Sequence, residues 1–209
     1  TVDNSSQHPG LTNDRFGNSN SAYLFDRSNF NYLNHTDDIP NLNNYTISLW
    51  AKANSTGQWE SVFSSRGVSS NDNGFQIDSD TNSNFRVVTK NGDNLNLGKF
   101  NLYEWNLITI TADNSLGKTI GYLNGVYEDN VSSVSATFYF DGFKIGRNRN
   151  GDAYFNGVID DVRIYNKALI ADEISEIYNS SFSPIERLYD NLSISKIQLY
   201  TIGNKVDNF

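Results

Sequence analysis

The chain has 209 residues, with 16 Lys or Arg against 24 Asp or Glu, and its net charge at pH 7 is −8. This acidic balance argues against a nucleic-acid partner, because binding phosphates requires clustered Lys and Arg side chains. The chain contains no Cys and two His, which excludes disulfides and thiolate metal sites and leaves little imidazole chemistry. No apolar run reaches the roughly 20 residues of a membrane-spanning helix, so the sequence predicts no membrane span.

The start of the chain bears on its processing. There is no Met at all, and the first residue is Thr1. The sequence therefore predicts either a processed precursor or a piece of a longer protein. With no Cys and a polar composition, we interpret it as a mature exported domain, extracellular or at the cell surface. The alternative is a fragment of a cytoplasmic protein.

Short alternating segments between Asn, Asp, Gly and Ser residues predict antiparallel strands along most of the chain. In residues 45–51 the odd positions are apolar, which places Trp50 on the opposite face. The dipeptide Asn124-Gly125 favours a two-residue hairpin turn, because both of its residues tolerate positive φ. The predicted strands cover residues 45–51, 61–65, 74–78, 85–89, 105–112, 119–123, 137–145 and 158–165.

Residues 168–178 break this pattern. Ile170, Ile174 and Ile177 recur at helical spacing, and we predict one short amphipathic helix docked on the sheets. Residues 192–200 alternate again and predict a further strand. The fold class is therefore all-β: a two-sheet antiparallel jelly-roll sandwich with one short C-terminal helix and a terminal β-strand.

An ordered series of motifs carries a family resemblance. The strongest motif is FNGVIDDVRIYNKAL at residues 155–169, and the others lie at residues 14–18, 21–26, 45–52, 104–111, 121–126 and 144–147. Together they resemble LamG-like (concanavalin A-like lectin/glucanase) jelly-roll domains over about residues 2–179. The resemblance implies a LamG-like domain at residues 1–182, followed by a C-terminal extension at residues 183–209.

The resemblance also implies a calcium site. Family members often hold a structural Ca²⁺ between the strand of the strongest motif and the N-terminal Phe-Asp loop, which makes Asp26 and Asp160 candidate ligands. Period-two alternation puts Asp160 on an apolar face with Val158 and Val162, where a carboxylate must be paired, hydrogen-bonded or metal-bound. The alternative is that loop amides donate to Asp160 without an ion. Arg27 stands where the family usually has Gly.

A short sequence near the start of the chain recurs near its end. Val2-Asp3-Asn4 recurs as Val206-Asp207-Asn208, and the end resembles the opening strand that the start lacks. The last strand is expected to complete its own sandwich, to complete that of a neighbouring molecule, or to belong to a tandem array. Chance similarity in an Asn-rich chain is the alternative. The side chains predicted to insert are Ile194, Ile197, Leu199 and Ile202.

Catalytic patterns are weak in this sequence. A sandwich glycosidase usually carries two opposed carboxylates on one strand, and no Glu-x-Asp-x-Glu occurs. The nearest pattern, Asp78-Ser79-Asp80, is predicted to lie in a solvated turn. Gln76-Ile77-Asp78 lacks the His of the Gln-Ile-His that jelly-roll polysaccharide lyases carry. We therefore predict that the chain is not an enzyme.

Recognition is the remaining function. Sugar-binding sandwiches stack aromatic rings on sugars and hydrogen-bond the hydroxyl groups with polar side chains. The predicted contacts are Trp59, Trp50, Gln76, Arg86 and Arg147, although Trp50 has the alternative of packing beneath a covering loop. We predict a non-catalytic domain that binds carbohydrate or a cell-surface ligand. The alternative is a filament or array subunit that binds copies of itself by donating its C-terminal strand.

Overall fold

The computed structural model describes residues 7–35, 39–65, 75–88, 94–131, 138–140 and 142–180, with the side chains of 39–41 and 138–140 left out. These residues form two packed antiparallel sheets and one short α-helix, which confirms the predicted jelly-roll sandwich. The predicted terminal strand, with Ile194, Ile197, Leu199 and Ile202, lies outside the described residues.

Fifteen strands are formed by the described residues, together with a 3-10 turn at Arg27–Asn29 and helix α1 at Ala171–Asn179. In chain order the strands are β1 (Gly10–Thr12), β2 (Ala22–Phe25), β3 (Leu33–His35), β4 (Ile39–Leu42), β5 (Asn44–Ala53), β6 (Ser61–Ser64), β7 (Gln76–Ser79), β8 (Asn84–Val88), β9 (Asn94–Lys99), β10 (Trp105–Asp113), β11 (Lys118–Leu123), β12 (Val126–Val131), β13 (Phe138–Phe140), β14 (Phe143–Ile145) and β15 (Gly157–Tyr165).

The strands divide into a large sheet, a smaller sheet and a separate pair. The seven-stranded sheet has the order β1-β2-β15-β5-β10-β11-β12, and the six-stranded sheet has the order β3-β14-β6-β7-β8-β9. Strands β4 and β13 pair separately. Each predicted strand overlaps an observed one, and residues 137–145 are divided between β13 and β14. The strands β1 to β4, β9 and β12 were not among the predicted ranges, although the predicted turn at Asn124-Gly125 implies a strand after it.

The core lies between the two sheets. In β5 the residues Tyr45, Ile47 and Leu49 point into it, as the alternation predicted, and Trp50 lies on the opposite face. The predicted hairpin is confirmed: Asn124 and Gly125 have φ values of +54° and +79° between paired Leu123 and Val126. The other large buried core side chains include Phe25, Phe63, Phe85, Phe100, Phe143, Phe155, Ile77 and Leu95.

The alternation predicted for residues 158–165 is wrong, because β15 carries a β-bulge. Asp160 pairs with Trp50 and Arg163 with Ser48, so three steps along β15 match two along β5. The backbone accommodates the extra residue at Asp161, which has a φ of +48°. Ile159 and Val162 therefore face the core, whereas Asp160 lies outside it.

Helix α1 packs on the outer face of the seven-stranded sheet. Ile174 and Ile177 are buried there against Leu107, Tyr122 and Tyr165. Glu173 fastens the start of the helix, because its carboxylate accepts from the Ile170 amide at 3.0 Å and from Lys167 Nζ at 2.6 Å. The predicted helix and its docking on the sandwich are thus confirmed, but α1 begins at Ala171, and Ile170 precedes it at 60% exposure and is not part of the buried face.

Candidate functional site

Polar side chains line the outer face of the six-stranded sheet. Ile77 of β7 points into the core, so its neighbours Gln76 and Asp78 face away from it. Arg86 of β8 lies opposite Asp78 in register and shares this face. We call this set the polar sheet face, and it consists of Ser64, Gln76, Asp78, Arg86 and Lys144.

Asp78 is the hydrogen-bonding centre of the polar sheet face. The residue is 0% exposed, although it points away from the apolar core. Its Oδ1 accepts from Arg86 Nε at 2.6 Å, and its Oδ2 accepts from Gln76 Nε2 at 2.6 Å. Burial raises the pKa of Asp78, while the charge and hydrogen bonds of Arg86 oppose the rise. A charged pair of this kind fixes the orientation of both partners.

A transverse row of residues crosses the same face. Lys144 of β14 pairs in register with Ser64 of β6, and Ser64 pairs with Gln76 of β7. Their side chains lie on the outer face, because the adjacent Ile145 and Phe63 are core residues. Direct cross-strand neighbours lie about 5 Å apart, so the three side chains are adjacent, with Ser64 and Gln76 only 1% and 6% exposed.

The loop between β14 and β15 approaches this row. Buried Asn148 organises the loop, since its Oδ1 accepts from three loop amides at distances from 2.9 to 3.2 Å. The loop brings the Arg149 amide to within 3.2 Å of Gln76 Oε1. Gly151 has a φ of +79°, which favours glycine, and a Cβ there would lie 1.9 Å from Arg147 Nη2 and displace that guanidinium.

Three buried polar atoms in this region have no hydrogen-bond partner among the described residues: Ser64 Oγ, Arg147 Nε and Arg149 Nη1. A buried polar group without a partner costs about 1–3 kcal/mol. Ser64 itself is 1% exposed. The region is therefore suited to receive the oxygen atoms of a polar ligand.

Aromatic side chains lie at two edges of the polar sheet face. Trp59 is 48% exposed, and its amide donates to the Ser79 carbonyl at 2.8 Å, which places it at the end of β7. At another edge the Arg147 guanidinium lies 4.7 Å from the Tyr32 ring centre and 5.8 Å from that of Tyr154. Of these three rings only that of Trp59 is exposed, and an exposed ring beside polar groups is typical of surfaces that stack on sugars.

Four of the five predicted contact residues lie on or beside this surface. Gln76 and Arg86 belong to the polar sheet face, and Trp59 and Arg147 lie at its edges. Their role in binding remains a prediction.

Trp50 does not join the other four, because it lies on the outer face of the other sheet. Its ring stacks on Tyr178 of α1 at 5.8 Å and lies 4.9 Å from the Arg15 guanidinium. This position agrees with the alternative that Trp50 packs beneath a covering segment.

The two predicted calcium ligands are not brought together. Phe25 of β2 pairs with Gly157 of β15, so Asp26 and Asp160 lie four residues apart along antiparallel strands, about 13 Å. Asp26 caps the 3-10 turn, accepting from the Ser28 amide at 2.8 Å. These residues do not fit one shared ion, and the calcium prediction stays without support from their geometry.

Asp160 has a different partner from the loop amides that were considered. Arg15 Nη1 lies 2.9 Å from Asp160 Oδ2 and 2.7 Å from Asp161 Oδ2. Burial and the adjacent Asp161 raise the pKa of Asp160 to about 6, against the charge of Arg15. The carboxylate is therefore paired with a cation on the outer face of the seven-stranded sheet.

Sequence reasoning missed several members of the site. Asp78 was predicted to lie in a solvated turn, which is wrong, because it is a buried residue of β7. Ser64 and Lys144 were not singled out, whereas Arg149 belongs to the polar loop of residues 147–150 that was expected either to line a binding site or to solvate a hairpin. The alternation of Gln76 and Asp78 around Ile77 was the available signal, since two polar residues on one face of a strand predict a polar surface.

The surface does not resemble a hydrolytic or metal centre. A glycosidase needs two opposed carboxylates, and of the five residues of the polar sheet face only Asp78 carries one. Within the described residues no group of three or more His, Cys, Asp or Glu side chains is arranged to hold a metal ion. In that same part of the chain, no helix has the length and apolar character needed to span a membrane.

Solved structures with this fold include two carbohydrate-binding domains. Domain 4 of the extracellular arabinanase AbnA from Geobacillus stearothermophilus, solved in complex with arabinotriose, has a TM-score of 0.62 and 18% identity. The match covers 86% of this chain and 87% of that one. The carbohydrate-binding module CBM40 of the Ruminococcus gnavus IT-sialidase, solved with α2,3-sialyllactose, has a TM-score of 0.56 and 18% identity, covering 66% and 83%.

Sequence comparisons give one local relative and one family. Botulinum neurotoxin type X from Clostridium botulinum is 36% identical over 83 residues, which are 38% of this chain but 6% of the toxin's length. Residues 27–175, more than half of the chain, match the family described as the concanavalin A-like lectin/glucanases superfamily. With the observed jelly-roll sandwich, this match shows that the chain belongs to the concanavalin A-like lectin/glucanase superfamily.

Proposed function

We propose that the chain is a non-catalytic carbohydrate-binding domain and that it binds glycans on the polar sheet face. The observation that carries the proposal is the buried polar network of Gln76, Asp78 and Arg86, at the end of which the 48% exposed Trp59 donates its amide to Ser79. Fixed donors and acceptors next to an aromatic ring suit the alternating hydroxyl groups and apolar faces of a sugar.

Two further observations support the proposal. Ser64 Oγ and Arg149 Nη1 have no hydrogen-bond partner among the described residues, and a sugar hydroxyl or other ligand oxygen would satisfy them. Two structural neighbours with this fold were solved with arabinotriose and with sialyllactose. We also infer an extracellular location, since domain 4 of AbnA, which matches over 86% of this chain and 87% of its own length, is part of an extracellular arabinanase.

The test is binding of the purified chain to an array of plant, bacterial and animal glycans. Affinity for a glycan that binds should fall at least tenfold in Trp59→Ala and Arg86→Ala. Tyr127→Ala is the matched control, because Tyr127 is 51% exposed but lies on β12 of the other sheet. No binding to any glycan would overturn the proposal, and equal loss in all three variants would overturn the choice of surface.

A further inference from the structure

Three cations beside the polar sheet face form no ion pair with any residue that the structure describes. The described part of the chain contains ion pairs made by Arg15, Arg27, Arg86, Arg163 and Lys167. Lys144, Arg147 and Arg149 make none of these, although each is partly buried. Since the chain as a whole carries a net charge of −8, a local cluster of unpaired positive charge is notable.

These three residues are close in space. Lys144 is one strand away from Ser64 and two strands away from Gln76, and the Arg149 amide donates to Gln76 Oε1 at 3.2 Å. Arg147 is close enough to Lys144 that its charge, after burial, helps to lower the pKa of that ammonium group. The charged groups of Lys144 and Arg147 and the backbone of Arg149 therefore lie near one end of the polar sheet face.

The carboxylate on the face does not neutralise them. Both carboxylate oxygens of Asp78 already accept hydrogen bonds, Oδ1 from Arg86 Nε and Oδ2 from Gln76 Nε2. Arg86 is therefore paired with Asp78. The loop of Arg147 and Arg149 also carries Asp152, whose Oδ1 accepts from Asn148 Nδ2 at 2.6 Å. Among the described residues Asp152 forms no ion pair with Lys144, Arg147 or Arg149.

Two of the cations also carry buried donors without acceptors. Arg147 Nε and Arg149 Nη1 lack a partner among the described residues, and Ser64 Oγ lies in the same row as Lys144. A buried guanidinium donor without an acceptor is costly, and a carboxylate matches the planar fork of Arg with two parallel hydrogen bonds. An anionic ligand would satisfy both the charge and the hydrogen-bonding needs of this cluster.

We propose that the glycan bound at this face carries a carboxylate, which lies among Lys144, Arg149 and Ser64 while its sugar ring extends over Gln76 and Arg86. This inference rests on the proposed carbohydrate-binding function. It adds a ligand class, sugars with a carboxyl group such as uronic or nonulosonic acids. Lys144, Arg147 and Arg149 favour such acidic sugars over neutral ones, whereas Gln76, Asp78 and Arg86 hydrogen-bond the sugar hydroxyl groups.

The experiment uses the full chain on an array that contains neutral, sulfated, uronate and sialylated glycans. Each acidic glycan that binds is then compared by calorimetry with its methyl ester, which keeps the sugar and removes the charge. We expect at least tenfold weaker binding of the ester, and weaker binding of the free acid as salt rises from 50 to 500 mM. Arg149→Gln and Lys144→Gln should each lose about tenfold for the acid and little for the ester.

The controls distinguish failure of the carboxylate inference from failure of the carbohydrate-binding function on which it rests. Lys118→Gln removes an exposed charge from the seven-stranded sheet and should leave binding of the acid unchanged. Binding of neutral or sulfated glycans alone, or equal affinity for an acid and its ester, would overturn the carboxylate inference and leave the carbohydrate-binding function standing. Binding of no glycan would overturn both.

Discussion

Arg15 and Asp160 are 145 residues apart in the sequence, and they form an ion pair with Arg15 Nη1 2.9 Å from Asp160 Oδ2. Arg15 also contacts Asp161 at 2.7 Å, and its guanidinium lies 4.9 Å from the Trp50 ring. One side chain therefore fastens the N-terminal loop to the bulge of β15. The bulge makes this possible, because it turns both carboxylates away from the core.

Replacing Arg15 by Ala should destabilise the sandwich. Asp160 would then lie near Asp161 without its partner, at 9% side-chain exposure. Removing one partner of a buried pair costs about 3–5 kcal/mol, and we expect about 2 kcal/mol here because the Arg15 side chain keeps some solvent contact. Urea unfolding at pH 7 measures the loss. Lys118→Ala, an exposed cation of β11, is the control, and equal stability of Arg15→Ala and the wild type would contradict the prediction.

The free energy of unfolding should change with pH as Asp160 titrates. Its pKa is about 6 in the folded state against an ordinary value of 3.8, so between these values the folded state binds more protons than the unfolded state. This carboxyl therefore lowers the free energy of unfolding as pH rises from 4 to 6, by about 2 kcal/mol, and that loss persists at higher pH.

Asp160→Asn tests this sign, because the amide does not titrate. Relative to the wild type, the variant should gain stability progressively between pH 4 and pH 6 and hold that gain at pH 7.5. Urea unfolding across this range gives the comparison. Parallel stability curves for the two proteins would show that Asp160 titrates at its ordinary value.

Docking of α1 should contribute substantially to stability. Ile174 is 0% exposed between the helix and the seven-stranded sheet, and truncating such a residue to Ala costs about 2–5 kcal/mol. Ile174→Ala should also change Trp50 fluorescence, since the indole stacks on Tyr178 of the same helix. Ile170→Ala is the matched control, because Ile170 is 60% exposed. If glycan binding fell in parallel with stability, the assignment of the ligand to the opposite sheet would be wrong.

The calcium prediction is tested by thermal unfolding in calcium and in EDTA. Because Asp26 and Asp160 lie about 13 Å apart along their strands, we expect any stabilising ion to be held by the Asp26 loop alone. Asp26→Asn, which can still accept the capping hydrogen bond, should then abolish the calcium-dependent rise in Tm, and Asp160→Asn should retain it. A wild-type Tm that is equal in calcium and EDTA would contradict the prediction.

Strand donation predicts concentration-dependent assembly of the full chain. Deleting residues 183–209, which contain Ile194, Ile197, Leu199 and Ile202, should abolish that assembly by removing the strand that inserts. Light scattering over a wide concentration range measures it. A full chain that stays monomeric throughout would contradict donation between molecules.

Much of the fold could be predicted because its signals are local. Alternation along residues 45–51 identified both faces of β5, and Asn124-Gly125 identified the hairpin between β11 and β12. The spacing of Ile170, Ile174 and Ile177 identified α1. Each of these signals depends on residues a few positions apart, whose side-chain directions follow from strand or helix geometry alone.

The candidate site was predictable only in part. Gln76, Arg86 and Trp59 were named from their residue types, but the buried position of Asp78 depends on β7 pairing with β8 in one register. Likewise, alternation along β15 failed at Asp160 because a bulge inserted one residue. A single-residue shift moves a side chain to the other face, and pairing with a distant strand decides whether that shift occurs.

The sequence by itself determined the all-β class, the apolar faces of the long strands, the helix and the acidic charge, all of which follow from composition and short-range periodicity. Only the tertiary structure decided that Trp59 and Trp50 lie on different sheets, that Asp26 and Asp160 are apart, and that Lys144 and Arg149 converge on Gln76. The physical reason is that strand order and register bring together residues that no local pattern connects.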